Sequence, residues 1–322
     1  MFEVIKGGLS TSIQDLGRPG FFHLGIPISG AMDRYALRVA NLLVGNEETA
    51  AGLEAVFMGP ELRFEKESSV AVTGANIPVF VDGEPKDTWT SFTVKKGQIL
   101  NFGVIKSGAR IYIGISGGIS TPKSLDSRST YPIGSLGGIN GRNIEECDQI
   151  PTGDSLLKRS GLSLPSSMKT FVSKKVTLRM IKGLYWHRLT EDSGTKFLSE
   201  EWRVAPEADR MGYRFRGGSP LKFVERAQPF GAGSDPSNIV DGCYSYGSLQ
   251  VPGGTEPIIL HRDAVSGGGY FTLGAIISAD MDIIGQLQPH TPVQFSAVEM
   301  PDALKARKLR QEKLERVRKF VS

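Results

Sequence analysis

Apolar residues in this chain recur mostly at alternate positions in short runs, each closed by Gly, Asp or Pro. That is the pattern of half-buried strands. The runs at 2–5, 69–73, 78–81, 91–94, 98–102 and 110–116 are predicted strands. Asp82-Gly83, between two of them, predicts a hairpin, because a type I′ turn needs positive φ at both central residues. Lys96-Gly97 is a second turn of that kind. In one place the period lengthens. Asp33 can cap a helix over 34–44, with Leu37, Ala40, Asn41 and Val44 at helical spacing and Gly45 at the C-terminal cap. Asn41 then lies on the inner face, where an amide needs a backbone or ligand partner.

A Ser-rich stretch at 155–173 holds Leu157, Leu162 and Leu164 without a clear period, and reads as a linker. Beyond it, strands are predicted at 176–181, 201–204, 247–251, 257–260, 275–279 and 292–297, with a helix near 195–201. Asp302 is placed as the cap of a last helix at 303–320, whose Leu304, Leu314 and Val317 form a thin apolar stripe. The fold class is mainly β with a few helices. The chain divides into an N-terminal β-rich domain at 1–165, a C-terminal β-rich domain at 174–300 and a basic C-terminal helix at 301–322.

Composition refines this picture. The 39 glycines favour tight turns over helix. The net charge of +4 is local, since the stretch from Lys305 to Lys319 carries eight basic residues against two acidic. The body is near neutral, so no nucleic-acid surface is expected. No apolar run approaches the roughly 20 residues of a membrane span, and the N-terminus carries no signal-like apolar stretch. Cys147 and Cys243 lack a CxxC partner, which favours a reducing cytoplasm. His23, His187, His261 and His290 lack metal-ligand spacing, so no metal is expected. Neither a P-loop nor a GxSxG elbow occurs.

Four polar, glycine-rich clusters could carry chemistry. The first runs from Thr11 to Gly20 and on to Asp33, with Asp15, Arg18 and Asp33 either binding a small polar substrate or serving as turn, pair and cap residues. In the second, Ser127-Arg128-Ser129-Thr130 follows Gly117-Gly118-Ile119 and either cradles a carboxylate or forms a hydrogen-bonded loop. The third is Asp209-Arg210-Met211-Gly212-Tyr213-Arg214, where Arg210, Gly212 and Arg214 would share one face of a strand. The fourth spans Asp235 to Gln286 and includes Leu249-Gln250-Val251-Pro252 and Asp263, a general base or a turn former.

Taken in order, these motifs resemble one family. The run Gln14-Asp15-Leu16-Gly17-Arg18-Pro19-Gly20, then Ser29-Gly30-Ala31-Met32-Asp33, Ala40-Asn41-Leu42-Leu43-Val44-Gly45-Asn46 and Leu53-Glu54 is similar to the N-terminal signature of allophanate hydrolase subunit 2 and the C subunit of 5-oxoprolinase. The family also contains the carboxyltransferase domain of urea carboxylase. Later motifs follow as far as Ser278-Ala279-Asp280-Met281. Cys147-Asp148 stands where the family favours Gly-Asp. Asp263-Ala264-Val265-Ser266 departs from the bacterial subunits, and Asp235-Pro236-Ser237-Asn238 is similar to the urea carboxylase branch. The chain mixes features of two branches.

The resemblance implies two cyclophilin-like β-barrel domains. It implies an allophanate hydrolase subunit 1-like partner, with a third lactam-utilisation subunit in the 5-oxoprolinase case, and a small amide or lactam substrate. No cofactor is expected on this chain alone. ATP, in the 5-oxoprolinase reading, or biotin, in the carboxylase reading, would act through partner subunits. Asp15, Asp33, Arg128, Arg210 and Asp263 are the expected catalytic residues. Arg18, Asn41, Ser129, Tyr213, Arg214 and Gln286 are the expected substrate-binding residues. Three functions are implied: a subunit of ATP-dependent 5-oxoprolinase, a carboxyltransferase subunit of a biotin-dependent urea or amide carboxylase, and a regulatory protein that antagonises a kinase inhibitor.

Overall fold

The computed structural model describes residues 1–155 and 159–322; Leu157 of the expected linker lies outside them. The chain forms two compact units. One comprises Met1–Gly20, Ile28–Val172 and Gln311–Ser322, the other Phe21–Pro27 and Ser173–Arg310.

The first unit is built from β1 (Phe2–Lys6), β2 (Thr11–Gln14), α1 (Arg34–Leu43), β3 (Gly52–Val56), β4 (Glu61–Phe64), β5 (Ser68–Asn76), β6 (Val79–Val81), β7 (Glu84–Lys86), β8 (Ser91–Val94), β9 (Ile99–Phe102), β10 (Ser107–Ile115) and β11 (Gln149–Ile150). Two antiparallel sheets result, in the orders β11-β1-β4-β9-β6-β7 and β2-β3-β10-β5-β8. Alternation explains how they pack. Val70 and Val72 of β5 and Ile111, Ile113 and Ile115 of β10 turn into a shared core with Phe2, Phe64 and Leu100 of the other sheet. Their neighbours Ala71 and Tyr112 turn the opposite way and pack with Ala36, Leu37 and Ala40 of α1. The Thr73 hydroxyl donates to the Ala36 carbonyl at 2.7 Å and ties the helix to the sheet.

Several local expectations hold. Asp33 caps α1 by accepting from the Ala36 N–H. The β6–β7 hairpin turns at Asp82 and Gly83, with φ of 49° and 85°. Asn41 is fully buried and its amide donates to the Ala50 carbonyl at 2.8 Å. The stretch after 158 is no free tether, because Ser91 and Leu162, and Trp89 and Leu164, pair through their backbones and Leu164 is buried. Its lack of period reflects pairing without regular strand geometry.

The second unit contains β12 (Val176–Lys182), α2 (Glu191–Ser199), β13 (Trp202–Val204), β14 (Gly212–Arg216), β15 (Asn238–Cys243), β16 (Ser248–Gln250), β17 (Ile258–Leu260), β18 (Gly267–Tyr270), β19 (Thr272–Ile276), α3 (Met281–Ile284) and β20 (Pro292–Ala297). Seven strands close a barrel in the order β12-β19-β16-β17-β14-β13-β20, which fits a cyclophilin-like architecture. Parallel pairing of β20 with β12 completes the circle. Phe197 of α2 stacks on Phe295 of β20 at 4.8 Å, and Phe215 meets Phe295 edge-on at 5.4 Å. β15 and β18 form a separate two-stranded ribbon.

The structure corrects three of the expected elements. The helix expected near 195–201 begins at Glu191, because Thr190 caps it through the Ser193 N–H. The strand expected at 275–279 is Thr272–Ile276. The last helix, α4, runs Met300–Val321, so Asp302 lies in its first turn and is no cap. Leu314 and Val317 of α4 are buried in the first unit, whereas Leu304 is exposed.

Candidate functional site

In the first unit, Asp15 follows the end of β2 and organises a distant loop. Its Oδ1 accepts from the Gly17 N–H at 2.8 Å, the Ser127 hydroxyl at 2.6 Å and the Ser129 hydroxyl at 2.5 Å. Its Oδ2 accepts the Arg128 N–H at 2.7 Å. Four donors on one carboxylate make Asp15 a hub that holds the loop rather than an uncommitted base. Arg18, only 1% exposed, donates to the carbonyls of Ser129 and, at 3.4 Å, Ser124. Gly137 is needed beside them, since a Cβ there would overlap the Ser129 carbonyl oxygen.

This loop is also conformationally strained. Leu125 and Asp126 have φ of 51° and 61° in the turn that pairs Ser124 with Ser127. A bulky residue at positive φ is unfavourable and persists only where its surroundings dictate it. What the turn produces is the placement of Arg128. Its Nε donates to the Thr121 carbonyl at 2.7 Å. Among the described residues no carboxylate pairs with its guanidinium, so its terminal nitrogens are available as a fork. Thr121 is buried, and its Oγ1 has no hydrogen-bond partner among the described residues.

Beneath the Ser29–Asp33 segment lies a second buried network. Glu54, 1% exposed, accepts at Oε2 from the Met32 N–H and the Tyr112 hydroxyl, both at 2.8 Å. Tyr112 accepts in turn from the Asp33 N–H at 2.7 Å. Burial, with the nearby charges of Glu54 and Asp33 adding to it, pushes the Tyr112 hydroxyl well above its usual pKa. It therefore stays protonated as a donor. Arg110 Nε lies 3.7 Å from Glu54 Oε1. Glu54 falls in the N-terminal signature, but neither Arg110 nor Tyr112 carries any local sign of a role.

In the second unit, Arg210 precedes β14 and lies in a turn, so it does not share a strand face with Arg214. Its guanidinium grips Asp263 through Nε to Oδ2 at 2.7 Å and Nη2 to Oδ1 at 3.2 Å. Arg214 donates to Glu256 at 2.8 Å, and Arg216 bonds the other oxygen of the same carboxylate. Burial raises the Glu256 pKa, but the Arg216 and Arg214 bonds outweigh it and leave the carboxyl below its usual value. Beside these pairs lies a cavity of about 380 Å³, whose lining includes Asp209, Arg214 and Gln250. Tyr213 and Gln286 are buried, as is His261, which packs between Tyr213 and Tyr246.

The expected residues thus fall in separate places. Asp15, Arg18, Arg128 and Ser129 converge in the first unit, while Asp33 caps α1 and Asn41 bonds backbone. Arg210 and Asp263 form a pair in the second unit.

Residues 24–297 match the family described as the carboxyltransferase domain, subdomain A and B. The chain belongs to that family. Within it, the chain is 31% identical over 321 residues to the C subunit of 5-oxoprolinase of Haemophilus influenzae, spanning 100% of this chain and 99% of that one. It is 34% identical over 302 residues to urea amidolyase of Saccharomyces cerevisiae, spanning 91% of this chain but 16% of that protein. The crystal structure of K. lactis urea amidolyase matches 98% of this chain and 20% of that one, with TM-score 0.91 and 31% identity. Family members thus include a separate subunit of one enzyme and a segment of another.

Proposed function

We propose that the chain is a subunit of an ATP-dependent 5-oxoprolinase, which opens the lactam of 5-oxoproline to give glutamate. It would work with an allophanate hydrolase subunit 1-like partner and a third lactam-utilisation subunit. The observation that carries this reading is the match to the C subunit of 5-oxoprolinase over 100% of this chain and 99% of that one. Arg128 supports it, because its available fork suits the 5-oxoproline carboxylate. The buried Thr121 hydroxyl is a second candidate donor there.

The N-termini of the α-helices among the described residues are poor sites for a nucleotide phosphate. A phosphate is favoured at a helix N-terminus, yet each α-helix among the described residues carries acid there: Asp33 on α1, Glu191 and Asp192 on α2, Asp282 on α3 and Asp302 on α4. No step is therefore routed through ATP on this chain. In this reading the chain's own share is to hold and orient the substrate, with Asp15 fixing the loop that carries Arg128.

A second reading rests on the 34% identity to urea amidolyase and the TM-score of 0.91 to its K. lactis counterpart. There the chain is part of a biotin-dependent carboxyltransferase acting on urea or another amide. One experiment separates the two. The chain is purified with its partner subunits and assayed for ATP-dependent glutamate release from 5-oxoproline, and for ATP-dependent carboxylation of urea when bicarbonate, a biotin carboxylase and a biotin carrier are supplied. Glutamate release supports the first reading. Carboxylation without glutamate release replaces it with the second.

A further inference from the structure

The cavity of about 380 Å³ in the second unit is lined by none of Asp15, Thr121 and Arg128, on which the proposed 5-oxoprolinase role rests, although its lining includes Arg214. Ile258, Leu260 and Val265 give it apolar walls, and Glu207, Asp209, Arg214 and Gln250 supply its polar groups. Gln250 on β16 is 9% exposed, and its Oε1 accepts no hydrogen bond among the described residues. A buried amide oxygen without a donor is unfavourable unless something else supplies one. The last torsion of a glutamine side chain is broad, so the amide can turn toward a ligand.

A glutamine can donate or accept, so the charges around it decide what it meets. Arg214 is matched by Glu256, which also takes Arg216. Asp209 uses Oδ1 for the N–H groups of Met211 and Gly212, which leaves its other oxygen for a ligand. Glu207 lines the cavity as well, with Arg216 at 3.3 Å from its carboxylate. The lining itself holds two carboxylates, Glu207 and Asp209, against one guanidinium, Arg214, which Glu256 outside the lining already matches, so its polar part has a surplus of negative charge and of acceptors.

We propose that this cavity binds a small N–H donor on an apolar body, an alkyl ammonium or a primary amide, and that Gln250 is the residue that reads the N–H. Glu207 and Asp209 repel a carboxylate of the same size. The assignment holds whichever of the two reactions the family membership reflects, because it concerns a separate set of residues from Arg128.

The test uses the full chain and three probes of similar size: n-butylammonium, butanamide and butyrate. Binding is followed by NMR titration. Butylammonium or butanamide should bind at least about tenfold more tightly than butyrate. Gln250→Met, similar in shape but without the amide, should weaken the bound donor by about fivefold or more, while its thermal midpoint stays level or rises. Glu207→Gln tells the donors apart, since it weakens the ammonium and spares the amide. Equal binding of butyrate, binding of none of the probes, or an unchanged affinity in Gln250→Met overturns the proposal. If Gln250→Met does not fold, the ranking of the probes on the unaltered chain still decides.

Discussion

The Arg128 N–H donates to Asp15 Oδ2 at 2.7 Å across 113 residues of chain. With the two serine hydroxyls and the Gly17 N–H, that bond makes Asp15 the post on which the Ser127–Ser129 loop hangs. Asp15→Asn should destabilise the protein by about 2–4 kcal/mol, because an amide NH2 would face donors where a carboxylate accepted. Urea unfolding measures it. A variant as stable as the unaltered chain but inactive would instead make Asp15 a catalytic group and not a positioning one.

Arg128 is predicted to behave the opposite way. Arg128→Lys should leave stability within about 0.5 kcal/mol, since the residue is partly exposed and no carboxylate among the described residues pairs with it. In the assembled enzyme, KM for the substrate should rise roughly tenfold or more, with kcat less affected, because a lysine keeps the charge and loses the fork. Unchanged KM removes Arg128 from the site.

Tyr112 links Asp33 to Glu54. Tyr112→Phe leaves the Asp33 N–H and one lone pair of buried Glu54 without that partner, which should cost about 1–3 kcal/mol. Combined with Glu54→Gln, the loss should fall short of the sum of the two single changes, since both act on one bond. A strictly additive double mutant contradicts the linkage.

Arg142 grips both oxygens of Asp148 at 2.7 and 2.8 Å, and these bonds hold the Asp148 carboxyl below its usual value of 3.8. The folded state therefore takes up that proton less readily than the unfolded one. The stabilisation is present above the usual value and is lost as pH falls through the lower folded-state value. Asp148→Asn should melt below the unaltered chain near neutrality, and the gap should close in strong acid. A gap that stays constant with pH speaks against the pair as its source.

Local features carried much of the fold into the sequence. Asp82-Gly83 dictated its hairpin through the positive φ that its turn needs. Alternation placed Val70 and Val72 on the core face of one strand. Asn41 on an apolar helix face announced that its amide had to bond, and it does, to Ala50. The short strands were harder to see. β3, β4, β7 and β11 are 5, 4, 3 and 2 residues long, too short for a period to rise above chance. Asp302 was misplaced because a capping residue and an acidic residue in the first turn look alike in sequence.

By itself, then, the sequence determined the strand-rich character, the turns, the cap of α1 and the family, each of which is written in neighbouring residues or in ordered motifs. Only the tertiary structure decided what the polar residues do. It gave Asp15 a loop to hold and closed Arg210 onto Asp263. Among the described residues it left Arg128 without a carboxylate and the Gln250 oxygen without a donor. The physical reason is that alternation and turn chemistry act over a few bonds. The partner of a charged or amide side chain is chosen by proximity in space, here between residues as far apart in the chain as Glu54 and Tyr112.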